Sequence, residues 1–427
     1  LGVPRLVLRD GSVASLRTAG PADRDLIGGF FRRLPAAERR DRFLASGQPP
    51  DTVLDALSTP SEARHLTLLV SRRIDDSDQV IAVASYVGLT NHSAEVAFAV
   101  DVRFQGKGVA TLLLERLAAH GAANGFTSFE ATTSADNQPM LQVFRDSGFE
   151  VRSRTANGCV DVHLSLTPSM QGVQAAEERR RLATVESLRP MLAPRSVAVI
   201  GASRERPNIG SRILAAIKMG GFTGTVHAVH PEAVEIQGVA AVPSARDLPR
   251  GVDLAIVAVP QPSVLSTVDE CAAAGVRSLV VISAGFAEVA GEGPALQERL
   301  IERVRGHGMR MVGPNCLGLL NTDPAIRLDA SFAPAFPPVG GHVAFSSQSG
   351  ALGVAILALA AERGVGISQF VSIGNKADVS SNDLLEYWEA DPRTTAILLY
   401  LESFGNPRRF SRIARRVTRS KPIVAVK

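Results

Sequence analysis

Arg103, Gly106 and Gly108, spaced R-x-x-G-x-G, stand between a strand and a helix in "AEVAFAVDVRFQGKGVATLLLERL". The chemistry open to such a turn is anion binding. Glycine lets the backbone approach a ligand with no Cβ in the way. A helix start presents unpaired N–H groups carrying partial positive charge. A tight corner that holds nothing satisfies the same short pattern. Gly201, after the apolar run "SVAVI", and Gly210, near the next helix start, form a second glycine turn. Ser347, Gln348, Ser349 and Gly350 stand at another helix start. They suit a phosphoryl group, and an ordinary N-cap explains them as well.

Around the first turn the elements are legible. Val96, Phe98, Val100 and Val102 alternate with Glu95, Ala97, Ala99 and Asp101, the period of a strand buried on at least one face. Val109, Leu112, Leu113 and Leu117 make the apolar stripe of the helix that follows. "SLRTAGPADRDLIGGFFRRL" predicts a strand and then an amphipathic helix. "HLTLLVS" and "QVIAVASYVGL" predict two strands separated by the polar turn "RRIDDSD". "FTSFEATT" is a further strand, and "NQPMLQVFRDSGFEV" a short helix ending at Gly148 before another.

This order resembles the GNAT acyltransferase superfamily over residues 1–167. The resemblance implies that the amides of Gln105, Gly106, Lys107, Gly108, Val109 and Ala110 hold the pyrophosphate of acetyl-CoA. It also sets Val102 and Asn137 against the cofactor, and amides near Val100 against the thioester carbonyl as charge develops on its oxygen. The family's general base falls on Glu95. A base is needed because an amine of unperturbed pKa about 10.4, such as lysine, arrives as ammonium. A solvated edge carboxylate is the plainer reading of Glu95, and His92 reads as a polar hairpin residue. Where GNAT enzymes often carry an acidic Tyr on the late helix, this chain has Phe144, which leaves the general acid open.

At 427 residues the chain calls for two or three domains, and 45% hydrophobic content with 5% aromatic suits α/β architecture. No apolar run reaches the ~20 residues of a membrane helix, and "LGVPRLVLRD" lacks the apolar segment of a signal peptide. Without an initiator Met the chain reads as trimmed or partial. Cys159, Cys271 and Cys316 have no metal-ligand spacing and fit a reducing cytoplasm. The net charge is +4, and Lys occurs only at 107, 218, 376, 421 and 427. With no basic stripe interleaved with aromatics, neither nucleic acid nor membrane is an expected partner. Residues 168–190, charged in their middle, read as a linker with a solvated helical piece.

"SVAVIGAS", "GTVHAVHP", "VDLAIVAVP", "VRSLVVISAG" and "RMVGPN" are strands with helical stretches between most of them, the alternation of a doubly wound parallel sheet. The dinucleotide fingerprint G-x-G-x-x-G is missing, and the second strand ends in His230-Pro231, with Glu232 the nearest acid. Residues 191–325 resemble instead the Rossmann-like CoA-binding domain of succinyl-CoA synthetase and of nucleoside-diphosphate-forming acyl-CoA synthetases. The matches lie at "PRSVAVIGAS", "VHP", "AVPQP", "ISAGFAE" and "GPNCLGLLNT". The resemblance assigns CoA to the backbone around Gly201, Ala202 and Ser203. Glu232 replaces the family's Lys and should weaken that contact. Cys316, in the "GPNC" turn, reads as a small buried hydrophobe.

Residues 335–427 resemble the flavodoxin-type domain of the same synthetases, with "SIGNKADVSSNDLLEYW" and "ILLYLESF" as the matching stretches. There the helix start at Ser347–Gly350 would receive a phosphohistidine, beside an acid matching Glu402. None of the eight histidines stands at the reactive position, and no ATP-grasp segment is recognisable. The expectation is the front part of an acyltransferase–synthetase fusion of α/β class. A GNAT domain joined to a synthetase-like CoA domain resembles the bacterial protein acetyltransferases that silence acetyl-CoA synthetase. This resemblance implies acetyl-CoA-dependent acetylation of protein lysines, with an acetyl-CoA synthetase as target and the synthetase-like part sensing acyl-CoA. The alternatives are a synthetase fragment with an accessory GNAT domain and an acetyltransferase of small amines. A homo-oligomer is compatible with either.

Overall fold

The computed structural model describes residues 5–333 and 340–427, apart from 46, 60, 62, 76, 168 and 206. The first residues of the expected 335–427 domain therefore lie outside the described residues. The chain divides into two compact units, Leu1–Ala183 and Thr184–Lys427.

The first unit is built on an eight-stranded sheet. From one edge its strands are Arg5–Val7, Val13–Thr18, His65–Ile74, Ser77–Gly88, Ser93–Val100, Ser128–Ser134, Cys159–Ser165 and Glu150–Ala156. All neighbours are antiparallel except Ser93–Val100 and Ser128–Ser134, which run parallel. Period-2 alternation gives this sheet two apolar faces. Ile27, Phe30 and Phe31 of the helix Arg24–Arg33 pack with Leu69, Val83 and Ala99 on one. Leu113, Leu114 and Leu117 of the helix Val109–Ala123 pack with Ala84, Tyr86 and Val96 on the other.

Three expectations change from the first residues to Leu192. The central strand stops at Val100, and Val102 opens a 3-10 turn, 48% exposed. Asp101 causes the break, because its carboxylate accepts the Arg103 N–H at 3.0 Å and pairs with the guanidinium at 2.7 Å. The polar stretch "RRIDDSD" is mostly strand, with Arg73 opposite Asp78 and Ile74 opposite Ser77. An Arg73–Asp78 ion pair at 3.5 Å shows why charge is tolerated there. The expected linker is a continuous 23-residue helix, Met170–Leu192. Its Glu178–Arg181 and Glu186–Arg189 pairs, three apart at 2.6 and 3.1 Å, support the helix, and Leu188, Met191 and Leu192 bury its end in the core of the second unit.

The second unit holds two sheets. In the first, Val239–Val242, Thr225–Val229, Ser196–Ile200, Leu254–Val257, Ser278–Val281 and Arg310–Val312 lie side by side and parallel. That is the doubly wound arrangement, with the order reversing between Ser196–Ile200 and Leu254–Val257. The second sheet runs Leu328–Ser331, Gly318–Asn321, Ile367–Ser372, Gly340–Ser347, Ala396–Tyr400 and Ile423–Val426. Its last four strands are parallel and its first two antiparallel. The chain thus changes sheets between Val312 and Gly318, inside the stretch 191–325 expected to form one domain. Val197 and Ile213 share one apolar core with Leu319, Leu328 and Trp388, so the two sheets are packed as one body.

Candidate functional site

In the first unit the glycine turn carries the features of an anion cradle. Gly106 and Gly108 sit at φ +71° and +82°, in the left-handed region that favours glycine. Gly108 caps the helix Val109–Ala123. The N–H groups of Gly106, Lys107, Gly108, Val109 and Ala110 meet no acceptor of good geometry among the described residues. The basic side chains beside them are already paired, Lys107 with Asp10 at 2.9 Å and Arg103 with Asp101 at 2.7 Å. An anion here would be held by backbone amides. A Cβ built at Gly106 would meet nothing within 4 Å, so the glycines are required by backbone conformation and not by crowding.

Beside this turn the sheet opens. The parallel strands pair only from Ser93 to Glu95 against Ser128 to Glu130, and beyond that point each continues without the other. The inner edge from Val96 to Val100 therefore has unpaired ladder groups available to an extended ligand. Glu95 stands where the split begins, exposed, between Val87 and Glu130 in the ladder. The same face carries Ser85 and, on the next strand, Thr67 and His65.

Arg42, from the helix Ala36–Phe43, donates to Ser85 Oγ at 3.1 Å. Burial pushes its guanidinium down to about 10, with the Glu95 carboxylate opposing. Burial and Arg42 together hold His65 below its ordinary value. Arg42 and His65 are the residues that sequence reasoning missed, since "ERRDRF" reads as a solvated charge run. Of the other expected contacts, Asn137 caps the helix Gln138–Asp146, its Oδ1 accepting the Met140 N–H at 3.1 Å. Gln105 bonds Glu38 at 2.8 Å. Phe144 is buried edge-on to Phe98, their centroids 6.4 Å apart, and has no proton to give.

The second unit encloses an open cavity of about 1200 Å³. The ends of two parallel strands reach its wall at Ala258 and Ile282, the crevice position expected of ligands in such sheets. Two helix starts line it, one capped by Asn208 and one by Ser349. Lys376 adds a positive charge, and Glu288 and Glu402 add negative ones. Burial acts to raise Glu288, but the Asn375 amide and the N–H groups of Gly285 and Phe286 hold its carboxyl below the ordinary range. Gln348 Oε1 accepts the N–H groups of Glu402 and Ser403 at 3.0 and 3.1 Å, which ties the Ser349 helix start to the Glu402 loop.

Part of the expected CoA cradle is closed from within. The Ser203 N–H is taken by Ser211 Oγ at 2.9 Å, while Ala202 is buried. Gly201, at φ +99°, packs so tightly that a Cβ would strike the Ala258 carbonyl. Asn208 and Ile209 supply the wall there instead. Cys316 donates to the Val281 carbonyl at 3.3 Å, and burial pushes its thiol up to about 12. Its role is packing. Among the described residues no cluster of three or more His, Cys, Asp or Glu side chains could hold a metal, and no helix is long and apolar enough to cross a membrane.

Residues 34–149 match the acetyltransferase (GNAT) family, 195–322 a CoA binding domain, and 340–427 the succinyl-CoA ligase like flavodoxin domain. The chain joins a GNAT domain to a synthetase-type CoA-binding region. Acetyl-CoA, or CoA, is the ligand these domains share.

Among relatives of the synthetase-type region is acetate–CoA ligase [ADP-forming] I of Archaeoglobus fulgidus. It is 44% identical over 234 residues, 55% of this chain and 33% of that protein. The alpha subunit of acetate–CoA ligase [ADP-forming] II of Pyrococcus furiosus is 41% identical over 236 residues, 55% of this chain and 50% of the relative. The dinucleotide-forming acetyl-coenzyme A synthetase 1 of Ca. Korarchaeum cryptofilum, solved with phosphate and ADP, is 42% identical with a TM-score of 0.54. That match covers 56% of this chain and 51% of the solved one. The chain spans between a third and about half of the length of these relatives.

Proposed function

We propose that the GNAT domain transfers the acetyl group of acetyl-CoA to a lysine amine on a protein, an acetyl-CoA synthetase being the first target to try. The observation that carries this reading is Glu95 where the strand split begins, on the strand that leads to a turn of unbonded amides. Acetyl-CoA supplies the acetyl group as a thioester. The amides from Gln105 to Ala110 hold its pyrophosphate, with Val102 and Asn137 beside it, and amides near Val100 stabilise the developing oxyanion. Glu95 takes the proton that the ammonium must lose before it attacks. With Phe144 on the late helix, the departing thiolate takes its proton from water.

In this reading the GNAT domain occupies 1–167 and the linker 168–190. A CoA-binding domain at 191–325 and a flavodoxin-type domain at 335–427 sense acyl-CoA. The reaction runs in the cytoplasm, where Cys159, Cys271 and Cys316 stay as free thiols. Glu95→Gln tests it: labelled transfer to purified acetyl-CoA synthetase should fall roughly 10²–10⁴-fold, with acetyl-CoA affinity unchanged by calorimetry. Wild-type turnover at neutral pH would remove Glu95 as the base.

A second reading, a portion of an acyl-CoA synthetase carrying an accessory GNAT domain, is favoured by the cavity with its two helix starts and Lys376. It predicts thioester formation from acetate, CoA and ATP when a phosphoryl-carrying synthetase partner is added.

A further inference from the structure

Of the five lysines in this chain, Lys376 is the one that lines the cavity of the second unit among the described residues. Its backbone sits at φ +55°, a region disfavoured for residues with a Cβ. Neighbours hold it there. The Lys376 N–H bonds the Ile373 carbonyl at 2.9 Å, and the N–H groups on either side bond Pro314 and Gly313 at 3.0 and 3.2 Å. A strained turn kept in place by this many bonds serves to aim its side chain.

The aim has a chemical consequence. Lys376 Nζ donates to Ser403 O at 2.8 Å and to Ser403 Oγ at 2.6 Å. An ammonium has three protons, and these two bonds use two. The third is left to solvent, and Glu402 is the carboxylate whose charge acts on the ammonium. The lone pair then points away from Ser403. Burial holds Lys376 below the usual lysine range, with Glu402 opposing, so the free amine is the easier form to reach here than on the surface.

We propose that Lys376 is a self-acylation site, its Nζ attacking the thioester carbonyl of an acyl-CoA held in this cavity. This rests on the reading that the second unit binds acyl-CoA. The ammonium first releases one proton to solvent. An N–C bond then forms and the C–S bond breaks, with the electron pair leaving on sulfur, and the second proton lost by nitrogen goes to that sulfur. The products are an acyl-lysine amide, free CoA and one solvent proton, with no further reactant. Acylation removes the one positive side chain lining the cavity among the described residues and leaves Glu288 and Glu402, so a phosphate or carboxylate would then be repelled where it had been attracted.

Peptide mass mapping of the full chain after incubation with acetyl-CoA is the test. Lys376 should gain one acetyl group, at a rate that saturates with acetyl-CoA. That rate should exceed the rate at exposed Lys218 about tenfold or more, the mark of a reaction within a bound complex. The adduct should persist in Glu95→Gln, be absent in Lys376→Arg, and form no faster than at Lys218 with the acetyl thioester of N-acetylcysteamine, which lacks the nucleotide. Loss of the adduct in Glu95→Gln would make Lys376 a substrate of the GNAT domain and overturn self-acylation. Calorimetry on Gly108→Trp separates the remaining failures. Acetyl-CoA binding without a Lys376 adduct overturns the proposal alone, whereas no binding removes the reading beneath it as well.

Discussion

Gly106→Ala and Gly106→Asn together decide what the glycine turn requires. The residue sits at φ +71°, and a Cβ there would touch nothing within 4 Å. Crowding therefore contributes little, and the cost of a side chain is the left-handed conformation itself, roughly 1–2 kcal/mol for alanine. If the turn gives up that conformation, its amides leave the anion and acetyl-CoA affinity falls about 5–30-fold. Asparagine tolerates the left-handed region, because its short side chain can bond its own backbone. Gly106→Asn should thus bind more tightly than Gly106→Ala, although its side chain is larger. Calorimetric titration of both full-length variants with acetyl-CoA, beside thermal unfolding to catch strain that stays in the fold, measures the difference. Equal losses, or a weaker Asn variant, would refute the conformational argument and restore a steric one.

Three further outcomes follow from burial and charge. Arg310 pairs with Asp378 at 2.8 Å, both side chains no more than 1% exposed, with Arg305 at 3.3 Å on the other carboxylate oxygen. Asp378→Asn leaves the buried Arg310 guanidinium only its longer pair with Asp383, at 3.5 Å, and unfolding of the second unit should lose about 3 kcal/mol by denaturant titration; a loss under about 1 kcal/mol would make the cluster ornamental. Burial pushes Cys271 and Cys316 up to about 12, so a thiol reagent at pH near 8 should titrate Cys159 alone in the native chain and all three cysteines after unfolding. His65 lies below its unfolded value of 6.5, so on acidification the unfolded chain takes up that proton first. Stability of the first unit should fall as pH drops below about 6.5, and His65→Gln should flatten that slope.

What the sequence revealed follows from what each pattern depends on. The strand Ser93–Val100, the helix Val109–Ala123 and the doubly wound sheet depend on local periodicity, and "AEVAFAV" and "SVAVI" carry it openly. The end of the first strand at Val100 depends on Asp101 reaching Arg103, a side-chain contact that outweighed one further apolar residue, Val102. Arg42 acts on both Glu95 and His65 only because three strands set Ser85, Thr67 and Glu95 on one face, a register that no short window contains. The Ser203 amide was unreadable for the same reason, since its acceptor is the hydroxyl of Ser211 on the following helix. Gly318–Asn321 is an apolar run that reads alike in either sheet. Only its ladder partners, Leu328–Ser331 and Ile367–Ser372, assign it.

That change of sheets bears on how the synthetase-type region can be cut and still fold. A chain ended after Asn321 would keep the six parallel strands but orphan Gly318–Asn321, whose two neighbours both lie later in sequence. Leu319 and Leu328, now enclosed with Val197 and Ile213, would be missing from that core or turned to water. The apparent boundary between the two sequence families is therefore not a boundary in cooperativity. Residues from Thr184 onward should melt in a single transition, and a ligand bound at either wall of the cavity should stabilise both sheets together.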